Sequence, residues 1–199
     1  MKLKEFKKKM RKKIFSTAEA HVVAFSDNPK LVNLQMHQWE KSGDVIRLKR
    51  GLYMFSDTQF DSASLEIAKR LCEPCYFSLE YILSLDGIIP EMVFSYTLVT
   101  TKKTCRFKTE AGDFIFHKIK REAFTGFDQV YLKAVPEKAL VDYFYLNSSK
   151  LKMDPKFWEE SRFNGSGLNF KKVFFYAKLF KSKRLVILLT DFQNYAKTH

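Results

Sequence analysis

Five polar side chains recur along one face of a predicted helix, and their chemistry suits contact with nucleic acid. On a helical wheel of about 100° per residue they lie opposite the apolar residues Val32, Met36 and Trp39. The five are Lys30, Asn33, His37 and Lys41, with Gln38 at the edge of the face. Amides, an imidazole and cations can hydrogen-bond base edges and pair with phosphates. We expect this helix to read DNA sequence; an ordinary solvated polar face, which more often alternates Glu and Lys, is the alternative.

Three further cations follow in a predicted β-hairpin. Arg47 and Lys49 share one face of the first strand, opposite Ile46 and Leu48, and Arg50 lies in the turn. Cations that point outward together can neutralise backbone phosphates and make binding dependent on salt. We therefore expect Arg47, Lys49 and Arg50 to contact the DNA backbone. The alternative is that they protect a sheet edge from aggregation.

Two predicted helices precede the helix that carries the polar face. Leu3, Phe6, Met10 and Ile14 are spaced by three and four residues, which predicts an amphipathic helix with these side chains on one face. Ser16 or Thr17 is a suitable N-cap for a second helix that runs to about Ala24. Residues 26–29 form a turn signal, Ser-Asp-Asn-Pro.

The third helix and the hairpin complete a recognisable order of elements. Pro29 suits the first position of a helix that runs to about Ser42, and Gly43 ends it. Apolar and basic residues then alternate over 45–49, and a turn at Arg50–Gly51 leads to a strand over 52–55. Three helices followed by a short basic hairpin are typical of a winged helix-turn-helix. We predict this fold for residues 1–56.

Residues 62–199 are predicted to form a larger α+β domain after a polar linker over 57–64. The pattern indicates a mostly antiparallel sheet with helices outside it, and helices at the C-terminal end. Helices are predicted over 65–71, 78–85 and 136–146 and in the chain from Asp154 onward, with a break at 164–167, and strands over 94–101, 105–108, 114–119 and 130–134.

The distribution of charge agrees with a polyanionic partner. The chain of 199 residues has a formal net charge of +13. Residues 1–53 carry a net +8, residues 54–149 a net −2 and residues 150–199 a net +7. Two basic ends therefore flank a near-neutral middle, and the polyanion could be nucleic acid, an anionic membrane surface or an acidic protein. The alternative for residues 1–53 is that their lysines only make the protein more soluble and bind no partner.

A second basic stretch lies near the C-terminal end. It contains Lys171, Lys172, Lys178, Lys181, Lys183 and Arg184. These cations fall on predicted helices and could form a second DNA surface, or a surface that meets RNA or a protein partner.

The predicted compartment follows from what the sequence lacks. No secretory signal and no apolar run long enough to cross a bilayer is visible, so we expect no membrane partner and a location in the cytoplasm. Three cysteines, an odd number, fit reduced thiols in that compartment.

Patterns that resemble a metal site or a catalytic site have simpler explanations. Cys72 and Cys75 form a Cys-x-x-Cys pair, but a structural zinc ion needs four ligands, and only Cys105 and His117 remain at a plausible distance in the sequence.

Residues 165–166, Gly-Ser, resemble the start of a nucleotidyltransferase site, which needs paired acidic residues on the next strand. Residues 168–172 contain no acid. Glu137 is explained by helix initiation, and Asp142 by pairing with Lys138 one turn earlier. We expect no catalytic residue, no metal ion and no cofactor, and a protein that is not an enzyme.

Four segments in order resemble one protein family, the AbiE-type (AbiEi) antitoxins of abortive-infection systems. Residues 39–53, WEKSGDVIRLKRGLY, are similar to the wing of that family. The segments YFSLE at 76–80 with GIIPE at 87–91, VTTKKT at 99–104 with Arg106 and Phe107, and AVPEKALVD at 134–142 are similar to three later family motifs. The matches span about Ile14 to Tyr145, and the last fifty residues carry no matching signature.

The resemblance implies a bacterial or archaeal repressor that binds inverted repeats in its own promoter. It also implies that the larger domain counteracts a nucleotidyltransferase-like toxin, without a stable complex, in a type IV toxin–antitoxin system for phage defence. The operator sequence does not carry over, because the reading helix has no fixed family pattern. A solitary regulator without a toxin, or an RNA-binding or protein-binding adaptor, is the alternative.

Overall fold

The computed structural model describes residues 2–24 and 28–198, and the chain is α+β as predicted. It divides into two compact units: residues 1–73 with 107–113, and residues 74–106 with 114–199. The predicted domains ended and began at 56 and 62, so the first unit is longer than the predicted first domain. Ser26 and Asp27 of the predicted turn lie outside the described residues.

The first helix is shorter than its apolar spacing predicted. Helix α1 spans Leu3–Met10 and ends where Arg11 adopts a left-handed conformation (φ 54°) and donates its backbone N–H to Lys7 O. Ile14 therefore does not continue the helix face, and the prediction that it does is wrong. It begins strand β1, Ile14–Ser16, which the sequence reading missed.

Side-chain caps fix the starts of the next two helices. Helix α2 spans Thr17–Val23, and Ser16 and Glu19 form a reciprocal capping box at its start. Helix α3 spans Pro29–Lys41, and the Asn28 side chain accepts a hydrogen bond from the Lys30 N–H. Gly43 follows with φ 77°, a left-handed conformation that glycine adopts without strain.

A three-stranded antiparallel sheet completes this part of the first unit. Strands β2, Val45–Lys49, and β3, Leu52–Phe55, form the predicted hairpin, and β1 pairs with the other edge of β3 to give the order β1-β3-β2. The turn is Arg50–Gly51, with φ 76° at Gly51. The Thr17 N–H donates to Gly51 O at 3.0 Å, which attaches the start of α2 to the hairpin turn.

Aromatic side chains from the helices and the sheet form the core of the first unit. The Phe6 ring lies 5.0 Å from the Trp39 ring and 5.4 Å from the Phe15 ring, measured between centroids, and Phe15 lies 4.8 Å from Phe55. Val32, Met36 and Trp39 are buried, as the helical wheel predicted. This packing fixes which face of α3 points away from the core.

The predicted linker over 57–64 is largely helical. Helix α4 spans Phe60–Leu71 and belongs to the first unit. Its apolar residues, among them Ala63, Ile67 and Leu71, are buried at spacings of four. The linker prediction was wrong because polar residues such as Ser62, which is exposed, lie on the outer side of this amphipathic helix.

The next four strands form a mixed sheet. Strands β4, Cys75–Phe77, β5, Tyr96–Thr100, β6, Cys105–Thr109, and β7, Gly112–Lys118, lie in the order β4-β5-β7-β6. Strands β4 and β5 are antiparallel, but β5 and β7 are parallel, so the expected antiparallel sheet is only partly correct. The sequence reading also missed β4.

The predicted strand over 130–134 is wrong. Asp128 Oδ1 accepts hydrogen bonds from the N–H groups of Val130 (2.8 Å) and Tyr131 (2.6 Å), which closes a turn, and Leu132 has φ 51°. Only isolated bridges remain, Phe77 with Lys133 and Phe127 with Ala134. The Asp128 side chain thus binds backbone N–H groups two and three residues further along the chain. The resulting turn takes the place of the strand that the apolar pattern suggested.

Helices of the second unit surround a large aromatic core. They are α5, Leu79–Leu85, α6, Pro136–Leu146, α7, Pro155–Ser161, α8, Phe170–Leu179, and α9, Lys183–Thr198, with a short 3₁₀ helix at Arg121–Ala123. The Trp158 ring stacks on Phe144 (5.6 Å) and contacts Phe192 (5.3 Å). Within the described residues, no helix is long and apolar enough to cross a membrane.

A fully buried polar network joins β4, the start of α5 and α6. Lys138 forms an ion pair with Asp142 one turn later, as predicted, and donates to the Tyr76 hydroxyl at 2.9 Å. The Asp142 carboxylate accepts hydrogen bonds from Tyr76 (2.8 Å) and Ser78 (2.9 Å). Burial raises the pKa of Asp142 and lowers the pKa of Lys138, and their pairing opposes both shifts.

Removing one partner of this network should cost more than removing both charges. We expect Asp142→Ala to lower the free energy of unfolding of the second unit by about 3–5 kcal/mol, because Lys138 would stay buried without its carboxylate. Lys138→Met combined with Asp142→Leu should cost clearly less. Denaturant titration in a Trp39→Phe background would measure both, since the buried Trp158 then reports on the second unit alone.

The exposed pair of Arg162 and Glu91 (3.4 Å) provides the control. Glu91→Ala should change the free energy of unfolding by at most about 1 kcal/mol. A double variant at positions 138 and 142 that is less stable than Asp142→Ala would contradict the expectation.

Candidate nucleic-acid interface

The outward face of α3 carries the polar side chains that the sequence predicted. All five are exposed, and they lie opposite the buried Val32, Met36 and Trp39. The five are Lys30, Asn33, His37, Gln38 and Lys41. The amphipathic pattern thus assigns the two faces of this helix correctly.

A cleft between α3 and the β2–β3 hairpin brings four of the predicted residues together. Its volume is about 410 Å³. Asn33 and His37 line it from α3, and Arg47 and Arg50 line it from the hairpin. The other lining residues are Thr17, Met36, Glu40, Gly51 and Tyr53. Hydrogen-bonding groups of the helix and guanidinium groups of the hairpin therefore border one open space.

The two arginines differ in how they are held. Arg47 Nη1 lies 3.8 Å from Glu40 Oε1, and both side chains are partly exposed. An exposed ion pair of this kind contributes about 0–1 kcal/mol, so Arg47 can exchange Glu40 for another anion at little cost. Arg50 is exposed in the two-residue turn at the tip of the hairpin.

Lys49 does not point outward with Arg47, in contrast to the prediction. Its amino group donates to Arg70 O (2.9 Å) and Leu71 O (2.8 Å), the last carbonyls of α4. The strand register shifts between Arg47 and Lys49, so Leu48 is the extra residue of a bulge. Because a bulge interrupts the alternation of strand faces, two residues that share a face in a regular strand are separated here.

His21 is a neighbour of the candidate site that the sequence reading did not select. It lies on α2, and in the tautomer protonated at Nε2 it donates a hydrogen bond to Asn33 Oδ1 at 2.9 Å. The bond holds one end of the Asn33 amide, so its NH₂ group keeps a defined orientation. His21 lies one helical turn after Thr17, which lines the cleft, and this spacing was the available signal.

A cluster around Glu19 ties β1 and α2 to α4. The Glu19 carboxylate accepts hydrogen bonds from Lys12 Nζ (2.8 Å), the Ser16 N–H (2.7 Å) and Arg70 Nη2 (2.6 Å). The same Arg70 nitrogen donates to Ile14 O at 3.0 Å. Burial raises the pKa of Glu19, but these hydrogen bonds outweigh it and lower the pKa to about 2. The carboxylate therefore stays charged at neutral pH and holds the start of α2 in place.

The second basic stretch is divided between a groove and structural roles. Lys178, Lys181 and Lys183 line a groove of about 470 Å³ with Val186 and Ile187. Arg184 instead donates to Ser148 O at 2.8 Å. Lys171 and Lys172 lie in the first turn of α8, and the Asn169 side chain accepts hydrogen bonds from their backbone N–H groups. Three of the six cations thus border one groove, the Arg184 side chain binds a backbone carbonyl, and Lys171 and Lys172 are exposed.

The cysteines that resembled a metal site lie in packed surroundings. Cys72 and Cys75 are buried, and Cys105 is half-buried. Over residues 2–24 and 28–198, no group of three or more His, Cys, Asp or Glu side chains is placed to hold a metal ion.

Lys49 at the end of β2 and Arg50 in the adjoining turn should differ in their effect on stability. We expect Lys49→Met to lower the free energy of unfolding of the first unit by about 1–2 kcal/mol, because two carbonyls at the end of α4 lose their donor. The matched variant Arg50→Met should change it by less than about 0.5 kcal/mol, since Arg50 is exposed. Denaturation of a Trp158→Phe background, followed through Trp39, measures both; equal effects would contradict the assignment of Lys49.

Comparison with known proteins does not identify a family for this chain. No protein-family model matches the sequence, and no curated protein is significantly similar to it.

Proposed function

We propose that the protein is a sequence-specific DNA-binding repressor whose first unit works as a winged helix-turn-helix. The observation that carries this proposal is the cleft in which Asn33 and His37 of α3 lie beside Arg47 and Arg50 of the hairpin. In this interpretation α3 is the reading helix and the β2–β3 hairpin is the wing. Both elements have the charge and the exposure that contact with a duplex requires.

The dimensions of α3 suit a major groove. Its 13 residues give a length of roughly 20 Å, and a major groove about 12 Å wide admits one helix. Asn33, His37 and Gln38 would then contact base edges. Lys30, at the start of the helix, would also contact a base edge, and Lys41, at its end, would contact a phosphate at the edge of the groove.

The hairpin supplies contacts that do not depend on sequence. Arg50 at the tip would bind a backbone phosphate, and Arg47 would exchange Glu40 for a second one. Each phosphate that is neutralised releases condensed counterions, so these contacts strengthen binding to any duplex. Specificity would therefore reside in α3 and general affinity in the hairpin. Inverted repeats in the promoter of its own gene would receive two copies of the protein.

The proposed role of the second unit rests on the resemblance to AbiE-type antitoxins. We propose that this unit counteracts a nucleotidyltransferase-like toxin in the cytoplasm, without a stable complex, without a cofactor and without enzymatic activity. In the 134–142 motif, Pro136 opens α6, and Lys138 and Asp142 belong to the buried network. A structural role accounts for these residues, so the motif supports a shared fold and needs no catalytic function.

DNA binding can be tested with the full-length protein by fluorescence anisotropy on two labelled duplexes. One is the DNA upstream of the protein's own gene, and the other is a scrambled duplex of equal composition. We expect preference for the upstream duplex. His37→Ala and Lys30→Ala should weaken binding to it by about tenfold, a typical cost of one lost contact in the major groove.

The hairpin variants separate general affinity from specificity. Arg50→Ala should weaken binding to both duplexes alike and reduce the slope of log affinity against log salt by about 0.9. Lys49→Met removes the same charge and should leave the slope unchanged, because Lys49 binds α4. Equal losses on both duplexes for all of the α3 variants would rule out a reading helix. No preference for the upstream duplex would leave only general binding of polyanions.

The antitoxin function can be tested by co-expression with the gene adjacent to that of this protein. The adjacent gene alone should arrest growth, and the full-length protein expressed from an unrelated promoter should restore it. A variant with Lys30→Ala, His37→Ala and Arg50→Ala should restore growth equally well, because neutralisation is assigned to the second unit. Continued arrest with the wild-type protein, or no arrest by the adjacent gene, would contradict the antitoxin proposal.

A further inference from the structure

The outward face of α3 contains one apolar side chain at its centre. Leu34 is 54% exposed, although leucines at regular positions of an amphipathic helix are usually buried. On the helical wheel Leu34 lies about 20° from Lys41 and about 40° from Lys30 and Gln38. It is almost diametrically opposite the buried Val32, Met36 and Trp39. Leu34 therefore occupies the middle of the proposed reading surface.

The surroundings of Leu34 distinguish it from a scattered surface leucine. Its nearest neighbours on the helix face are the polar or basic Lys30, Gln38 and Lys41, while His37 and the exposed Leu31 lie about 60° to either side. Leu34 is neither one of the buried residues of the core cluster that the structure describes nor one of the partly buried side chains packed against it. Leu34 lies nearer the centre of the outward face than Leu31, so in the proposed orientation of α3 it is the apolar side chain that faces the middle of the groove.

The chemistry of a major groove provides one apolar group for such a side chain. The 5-methyl group of thymine is the apolar feature that base pairs present there, while their other edge groups are donors and acceptors. We propose that Leu34 contacts a thymine methyl group in each half-site and thereby requires an A·T pair at that position. This inference rests on the proposed function of α3 as a reading helix.

The same side chain would also act against the wrong base pairs. Leucine has no hydrogen-bonding group, so a G·C pair opposite Leu34 would lose the water bound to its edge groups and gain no partner. Specificity at this position then combines burial of the methyl group with the desolvation of the competing base pair. The polar neighbours of Leu34 read the adjacent positions.

Replacing thymine by deoxyuridine tests the contact directly, because deoxyuridine lacks the methyl group and keeps every hydrogen-bonding group. A preferred duplex is first selected with the full-length protein from a random pool. Each thymine is then replaced in turn, and affinity is measured by fluorescence anisotropy. We expect one thymine per half-site at which the replacement weakens binding about fourfold, the loss expected for one buried methyl group.

Leu34→Ala should remove this difference, so that the thymine and deoxyuridine duplexes bind the variant equally well. Leu31→Ala is the matched control, because Leu31 is an equally exposed leucine (60%) that lies about 60° further round the same helix. It should keep the fourfold difference. Exposure of both leucines keeps the variants folded, which thermal denaturation verifies.

Each failure has a distinct meaning. A selected duplex in which no thymine shows the loss would overturn the role of Leu34 while leaving the reading helix intact. The role of Leu34 would likewise be overturned if Leu34→Ala still bound the deoxyuridine duplex about fourfold more weakly than the thymine duplex. Selection that yields no preferred duplex would instead contradict the proposed function, and the Leu34 contact with it.

Discussion

The packing of Trp39 against Phe6 determines where the candidate interface lies. Trp39 is on the inner face of α3, and its ring meets the Phe6 ring of α1 at 5.0 Å. Phe6 in turn contacts Phe15 of β1 and Phe55 of β3. Burial of each large aromatic side chain contributes roughly 1.5–3 kcal/mol, so the rotation of α3 about its axis is strongly specified. The opposite face is thereby presented to solvent beside the hairpin.

The bulge at Leu48 then divides the hairpin cations between two tasks. Arg47 and Arg50 border the cleft, whereas Lys49 binds the last carbonyls of α4. Lys49 thus supplies a cation at the end of α4, where the last carbonyls of a helix favour positive charge. One irregular residue thus both shapes the basic surface and holds a helix of the same unit.

Sequence periodicity predicted the parts of the interface that depend on one regular helix. The opposed faces of α3 follow from spacing alone, because the period of a helix is constant over its 13 residues. The same use of spacing misassigned Ile14. Its spacing from Met10 fits a helix, but the left-handed residue Arg11 ends the helix before it, and apolar spacing does not reveal such an end. The position of Lys49 depends on the pairing register of β2, which alternation within one strand does not reveal.

Long-range pairing limited the prediction of the second unit. Strand β4 has three residues, all buried, so it shows no alternation between faces. The parallel pairing of β5 with β7 joins segments that are separated in the chain by β6. The Asp128 side chain closes a turn where an apolar run suggested a strand. Each of these features is decided by contacts that a local window of sequence does not contain.

The residues that carry the resemblance to AbiE-type antitoxins serve mainly the fold. In the 39–53 segment, Gly51 adopts φ 76° in the hairpin turn, and the Tyr53 ring stacks on Phe15 at 6.2 Å. In the 134–142 segment, Lys138 and Asp142 satisfy each other in the interior. On the outward face of α3, Lys30, Asn33, Leu34, His37 and Gln38 precede these segments, which begin at Trp39, and only Lys41 falls within one. Most of the proposed reading face is therefore not needed for the packing that these segments provide, and its side chains could change without disturbing the fold.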